Sequence, residues 1–130
     1  MALGTHEDCL TKNAQTALTA YRLVKIDPSN GDQVMYAGPN DCAFGVTTDE
    51  AQAGEEVNIA LLGCSNTLKI TTSGAITSGD LLMPGDNGTV TSLPTEEGQY
   101  MCIGIALSGA ASGGTVEVLT SFPSQCSVTA

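Results

Sequence analysis

Apolar and polar residues alternate through Glu56-Val-Asn-Ile-Ala-Leu61, which sets Val57, Ile59 and Leu61 on one face and Glu56, Asn58 and Ala60 on the other. A period of two is the signature of a half-buried strand, because successive strand side chains point to opposite faces. Thr67 to Thr72 repeats the pattern with Leu68 and Ile70 inward and Lys69 outward, and Thr115 to Phe122 does so with Val116, Val118 and Phe122. Met101, Ile103, Ile105 and Leu107 define a further face, opposed by Cys102, Gly104 and Ala106, whose small side chains predict close packing on both sides.

Turn chemistry separates these runs. Tyr21 to Ile26 and Gln33 to Ala37 flank Asp27-Pro-Ser-Asn-Gly-Asp32, where Pro28 presets one turn dihedral and Gly31 accepts a positive φ, so a hairpin is expected. Leu81 to Met83 and Thr89 to Thr91, joined through Pro84-Gly-Asp-Asn-Gly88, predict another, with Asn87-Gly88 as a strong turn signal. The pattern gives an all-β fold: a compact barrel or sandwich of about nine short strands over residues 20–122. Residues 1–19 show no convincing period and are expected to be a flexible N-terminal arm, with a helix over residues 10–19 as the alternative because Ala14, Ala17 and Ala20 are good helix formers, and residues 123–130 are expected to be a C-terminal tail.

One layout recurs in Ala51-Gln-Ala-Gly-Glu-Glu-Val57, Ala75-Ile-Thr-Ser-Gly-Asp-Leu81 and Ala110-Ala-Ser-Gly-Gly-Thr-Val116. Small residues, a glycine and one or two polar residues lead into an apolar strand start, which describes a tight turn feeding a strand. The intervals of 24 and 35 residues are unequal, so the sequence reads as a recurring local solution rather than a solenoid.

Composition narrows the classes of function. Fourteen acidic residues face four basic ones, Lys12, Arg22, Lys25 and Lys69, for a formal charge of -10. Four scattered cations make no basic patch, so no nucleic-acid partner is expected. No segment reaches the roughly 20 apolar residues of a membrane span, and acids follow Met1 where a secretory signal needs cations, so synthesis in a cytoplasm is expected. With no Trp, three Tyr and two Phe the core must be built from small aliphatic side chains, which predicts help from self-association or a partner.

Candidate chemistry is sparse, and the expectation is a protein that is not an enzyme. His6, the only histidine, lies in the expected arm, too mobile for general base work, and it leaves any serine or cysteine nucleophile without an ordered base. The carboxylate pairs Asp49-Glu50, Glu55-Glu56 and Glu96-Glu97 are adjacent residues, which a strand points to opposite sides. Asp80, Asp86 and Asn87 flank a glycine-rich loop without the ligand spacing of a calcium loop, so no metal or cofactor is expected. Cys9, Cys42, Cys64, Cys102 and Cys126 form no close-spaced pair. Cys42, Cys64 and Cys102 read as small buried hydrophobes, while Cys9 and Cys126 lie in the two tails, where an oxidising medium would allow them to meet.

Gly45-Val46, Ala53-Gly-Glu-Glu-Val57, Gly63, Ala75-Ile-Thr-Ser-Gly-Asp-Leu81, Gly104-Ile-Ala-Leu107 and Gly113-Gly-Thr-Val-Glu-Val118 together resemble the small capsid decoration, or cement, proteins of tailed bacteriophages. The resemblance covers roughly residues 20 to 120 and rests on order and spacing. It implies a virion protein on the outer capsid surface, a homotrimer that binds the major capsid protein through an N-terminal arm and stabilises the expanded head. Thr5, Leu10, Lys12 and Thr16 are the arm residues expected to make that contact. The rival expectations are a β-sandwich adhesive or fibre module binding a cell-surface ligand, and a small enzyme with a β-barrel pocket.

Overall fold

The computed structural model describes residues 9–39, 41–63 and 67–129. It is an all-β fold of ten strands in two sheets. In the first lobe β1 (Cys9–Ala14), β2 (Leu23–Asp27), β3 (Asn30–Tyr36), β4 (Gly45–Thr47) and β5 (Glu56–Leu61) close a barrel in the order β1-β3-β2-β4-β5. In the second β6 (Thr67–Thr71), β7 (Leu81–Pro84), β8 (Val90–Ser92), β9 (Gly98–Ala106) and β10 (Thr115–Val128) form a sheet in the order β6-β10-β9-β7-β8.

The two lobes are copies of one design. Strand β1 runs parallel to β3 and antiparallel to β5, and β2 lies antiparallel between β3 and β4. In the second lobe β6 is antiparallel to β10, β7 lies antiparallel between β8 and β9, and a single parallel bridge from Thr72 to Val90 stands where the β1–β3 pairing stands in the first. The isolated bridge Leu18–Ala51 recurs 58 and 59 residues later as Ile76–Ala110. Backbone hydrogen bonds follow the same offsets. The Ala14 N–H donates to the Glu55 carbonyl at 2.8 Å and the Gly54 N–H to the Ala14 carbonyl at 2.8 Å; Thr72 to Gly114 and Gly113 to Thr72 match them at 2.9 Å each.

This corrects the reading of the recurring glycine turns. The intervals of 24 and 35 residues are two unequal parts of one repeat, and Ala17-Leu-Thr-Ala-Tyr-Arg-Leu23 is its missing fourth member. Tyr21 conceals it, because a tyrosine occupies the position of Gly79. Its φ of 64° lies in the same left-handed region as Gly54 at 85°, Gly79 at 93° and Gly113 at 85°. A side chain there costs about 1–2 kcal/mol. The conformation aims the Tyr21 carbonyl at the second lobe, where it accepts the Thr71 N–H at 2.8 Å.

The second lobe differs in being open between β6 and β8 apart from that one bridge, and the first lobe fills the opening. Ala14, Leu18, Val24, Val34, Val57 and Ile59 pack inside the closed barrel. Their counterparts Ile76, Leu82, Val90, Val116 and Val118 instead share a single core with Leu23, Val46 and Leu62 from the outside of the first barrel. Polar ties cross the junction: the Gly88 N–H donates to the Ala37 carbonyl at 2.9 Å, Arg22 Nη1 to the Asn87 carbonyl at 2.9 Å and the Gly63 N–H to Thr120 Oγ1 at 3.2 Å. The lobes are therefore one folding unit with a shared apolar centre.

Several expectations change at the ends and at the strand faces. From Cys9 onward the expected arm is ordered as β1, registered against β5 from Cys9–Ala60 to Asn13–Glu56, and residues 1–8 lie outside the described residues. The expected tail is strand through Val128, because β10 resumes pairing with β9 at Ser124 after a register shift beyond Thr120. Cys102 is buried as expected but is bonded to Cys126, with Cα atoms 6.0 Å apart, so Cys126 does not pair with Cys9. Cys42 is exposed rather than buried, and Cys64 falls outside the described residues.

Met101, Ile103, Ile105 and Leu107 do not share one face: Ile103 is in the core while Ile105 is exposed. The alternation reverses at Gly104, where a Cβ would collide with the Leu119 carbonyl. Gly45 is its counterpart, with Ala60 in the place of Leu119, and there too the residue before packs inward, Phe44, and the residue after, Val46, points outward. Phe122, expected inward, is exposed within the β10 register shift between Thr120 and Ser124.

Two predictions follow from the differences between the repeats. Tyr21→Gly is expected to leave stability unchanged or raise it by about 1 kcal/mol, whereas Tyr21→Val lowers it by about 1–2 kcal/mol, read from urea midpoints. Thr47 is fully buried, and its hydroxyl donates to the Thr19 carbonyl at 2.7 Å and accepts the Arg22 N–H at 3.1 Å. In the second lobe Ala106 takes its place and the turn closes directly, Asp80 N–H to Thr77 carbonyl at 3.0 Å. Thr47→Val keeps the volume but strands both backbone groups, at an expected cost of about 1–3 kcal/mol in the same titration.

Candidate functional site

Ordering β1 fixes where the expected contact residues stand. Leu10 lies opposite Ile59 and is half-buried, so it serves the barrel rather than a free arm. Lys12 is registered with Val57 on the same strand, and its Nζ donates to the Gly31 carbonyl at 2.9 Å. Thr16 is exposed beyond the strand, and Thr5 lies outside the described residues. Lys12 borders a polar cleft with Thr11, Asn13, Asp32 and Glu56. The structure thus brings Leu10 and Lys12 onto one barrel strand and separates them in role.

Two of the remaining three cations are engaged within the fold, and the third, Lys69, is exposed. Arg22 bonds the second lobe through Asn87 and stacks over the Tyr36 ring at 5.7 Å. Lys25 pairs with Asp41 at 3.1 Å, and Lys69 is registered opposite Glu117. The Gly38 N–H, donating to Asp41 Oδ2 at 2.7 Å, holds that carboxyl below its ordinary range; burial opposes this and Lys25 adds to it. No basic surface is assembled from them.

Among the acidic residues singled out in the sequence, Asp80 and Glu55 bind turn backbone. Asp80 Oδ2 accepts the Thr77 N–H at 2.9 Å and the Ser92 hydroxyl at 3.2 Å, and Glu55 Oε1 accepts the Gln52 N–H at 2.8 Å. Asp86 and Asn87 lie in a short 3₁₀ turn, Asp86–Gly88, with Asn87 at a φ of 57°. Among the described residues no cluster of three or more His, Cys, Asp or Glu is placed to hold a metal ion, and no helix is long and apolar enough to cross a membrane.

What the sequence reading missed is an apolar face. Leu81, Ile105 and Leu119 sit side by side across β7, β9 and β10 as direct cross-strand partners, and they are 45%, 40% and 48% exposed. A groove of about 260 Å³ runs beside them, lined also by the Cys102–Cys126 disulfide, Gly104, Thr120, Ser121 and Ser124. Leu107 and Phe122 extend the exposed apolar surface of this lobe. The alternation read from the sequence put Ile105 inward with Ile103, and only the reversal at Gly104 turns it out. The repeat could have revealed it, since Leu23, Val46 and Ala60 occupy the same positions in the first lobe.

Comparisons with known proteins agree with this architecture. The chain is similar in fold to the N base of the head fibre protein gp8.5 of bacteriophage phi29, with a TM-score of 0.70, 21% identity, and coverage of 88% of this chain and 94% of that one. No curated protein matches the chain. The family model of the phage cement proteins matches residues 5–121, which takes in the first lobe and the second as far as the first half of β10. The chain belongs to the phage cement protein family.

Proposed function

We propose that this protein binds the outer surface of a phage capsid as a homotrimer and stabilises the expanded head against the pressure of packaged DNA. Membership of the cement family makes it a capsid-associated structural protein of a phage. The observation that carries the reading is the extent of the family match, which runs through both lobes to the middle of β10 rather than over one glycine turn. The fold it shares with a phage head fibre base supports the same assignment.

The physical properties suit an external site. A formal charge of -10 repels phosphate, so contact with packaged DNA would be unfavourable, whereas the outer shell offers protein surfaces. A rigid body with a shared core loses little conformational freedom on docking, so modest contacts are retained as affinity. Self-association multiplies them. Once one protomer of an assembly is docked the others bind at high effective concentration, which raises avidity by about 10²- to 10⁴-fold. Lys12 and Thr16 are the proposed contacts with the major capsid protein. Because Leu10 supports the barrel, changing it would disturb folding before binding. The same holds for any truncation that removes β1.

Expanded heads prepared without their decoration protein test the proposal. The protein is expected to saturate them at a fixed ratio to coat subunits and to raise the temperature at which they rupture. Lys12→Ala combined with Thr16→Ala should weaken binding about tenfold, equivalent to ~1.4 kcal/mol, and lower the fold's stability by no more than about 1 kcal/mol, the contribution of the lost Lys12–Gly31 hydrogen bond. Absence of a saturable ratio, or coating with no gain in head stability, would overturn the cement role.

A further inference from the structure

We infer that the face formed by Leu81, Ile105 and Leu119 is a self-association surface whose occupant is a second copy of this chain. The inference rests on the reading of the protein as a self-associating capsid component and names the surface that does it.

The repeat supplies the argument. Leu23, Val46 and Ala60 are cross-strand partners on the outside of the first lobe, as Leu81, Ile105 and Leu119 are on the outside of the second. In the first set Leu23 and Val46 are 0% and 2% exposed because they pack against a lobe of this same fold, and Ala60 beside them is 6% exposed. The second set has the same design, including the glycine that turns the central residue outward, and no lobe of its own chain covers it. In each position the second lobe carries a side chain at least as large, with Leu119 where the first has Ala60. Exposed apolar patches of this kind mark interaction surfaces.

Charge selects the partner. The three residues and the groove beside them, from Cys102 and Gly104 to Ser124, carry no ionisable side chain, the two cysteines there being joined. Two copies of a chain with fourteen acidic residues repel across their charged faces, so an uncharged surface is where they meet at least electrostatic cost. A contact in which one lobe of one copy meets another part of its neighbour is heterologous, and repeated with a rotation that closes it generates a ring.

The test is native mass by light scattering, with far-ultraviolet circular dichroism as the folding check. Wild-type protein is expected above its chain mass of 13.2 kDa. Ile105→Asp with Leu119→Asp should fall to the chain mass with its spectrum intact. Leu119→Met should stay associated, and so should Ile26→Asp, a change at an exposed apolar residue of the first lobe. If the double variant misfolds, the single Leu119→Ser decides, with a loss of at least tenfold in association expected.

A double variant that associates like wild type overturns the inference, as does a wild-type protein that stays monomeric at every concentration. Wild-type monomers that still coat heads would leave the cement reading standing and remove this one. Variants that lose head binding without any change in mass would assign the face to coat protein instead.

Discussion

The structure depends on the insertion of one barrel's outer wall into the open side of a second sheet. Leu23 and Val46 point away from their own barrel and complete the core around Ile70, Val90 and Val118. Neither lobe is self-sufficient in this arrangement. The second would expose its interior between β6 and β8, and the first would present an apolar outer wall to water. A core of Ala, Val, Leu and Ile, without Trp, buries little area per residue, so sharing one centre between two small lobes increases what 130 residues can bury.

That junction also accounts for the irregular positions. Tyr21 holds a left-handed conformation that its counterpart adopts as glycine, and its carbonyl bonds β6 at the place where the lobes meet. Thr47 inserts its hydroxyl into the turn that presents Tyr21, whereas Ala106 leaves the equivalent turn closed. Two copies of one design thus differ at Tyr21 and Thr47, where one packs on the other. Local strain persists at Tyr21 because the surrounding contacts fix it there.

The same geometry frames the functional reading. An acidic body with a shared core, whose Arg22 and Lys25 are held in internal contacts, is suited to adhere to protein surfaces. Its uncharged apolar area is concentrated on one sheet of the second lobe. Duplication explains why that area exists: the motif that joins the lobes occurs twice in the chain and is used once within it.

The sequence by itself determined the class of fold, most of the strands and the membership of the family. Strand β5 matches its predicted limits, and the hairpins β2–β3 and β7–β8 fall within a few residues of theirs, because period-two burial and turn chemistry are local properties. Tertiary structure decided what lay outside local pattern. The polar run at Cys9–Ala14 becomes a strand because β5 and β3 offer it partners on both sides, which no propensity of its own would predict. Ile105 faces solvent because Gly104 must lie against the Leu119 carbonyl, a contact between residues far apart in the chain. Equivalence of the two lobes was hidden by Tyr21 in a glycine's place and became legible only in the pairing of strands, since backbone hydrogen bonds preserve a duplication after side chains have diverged.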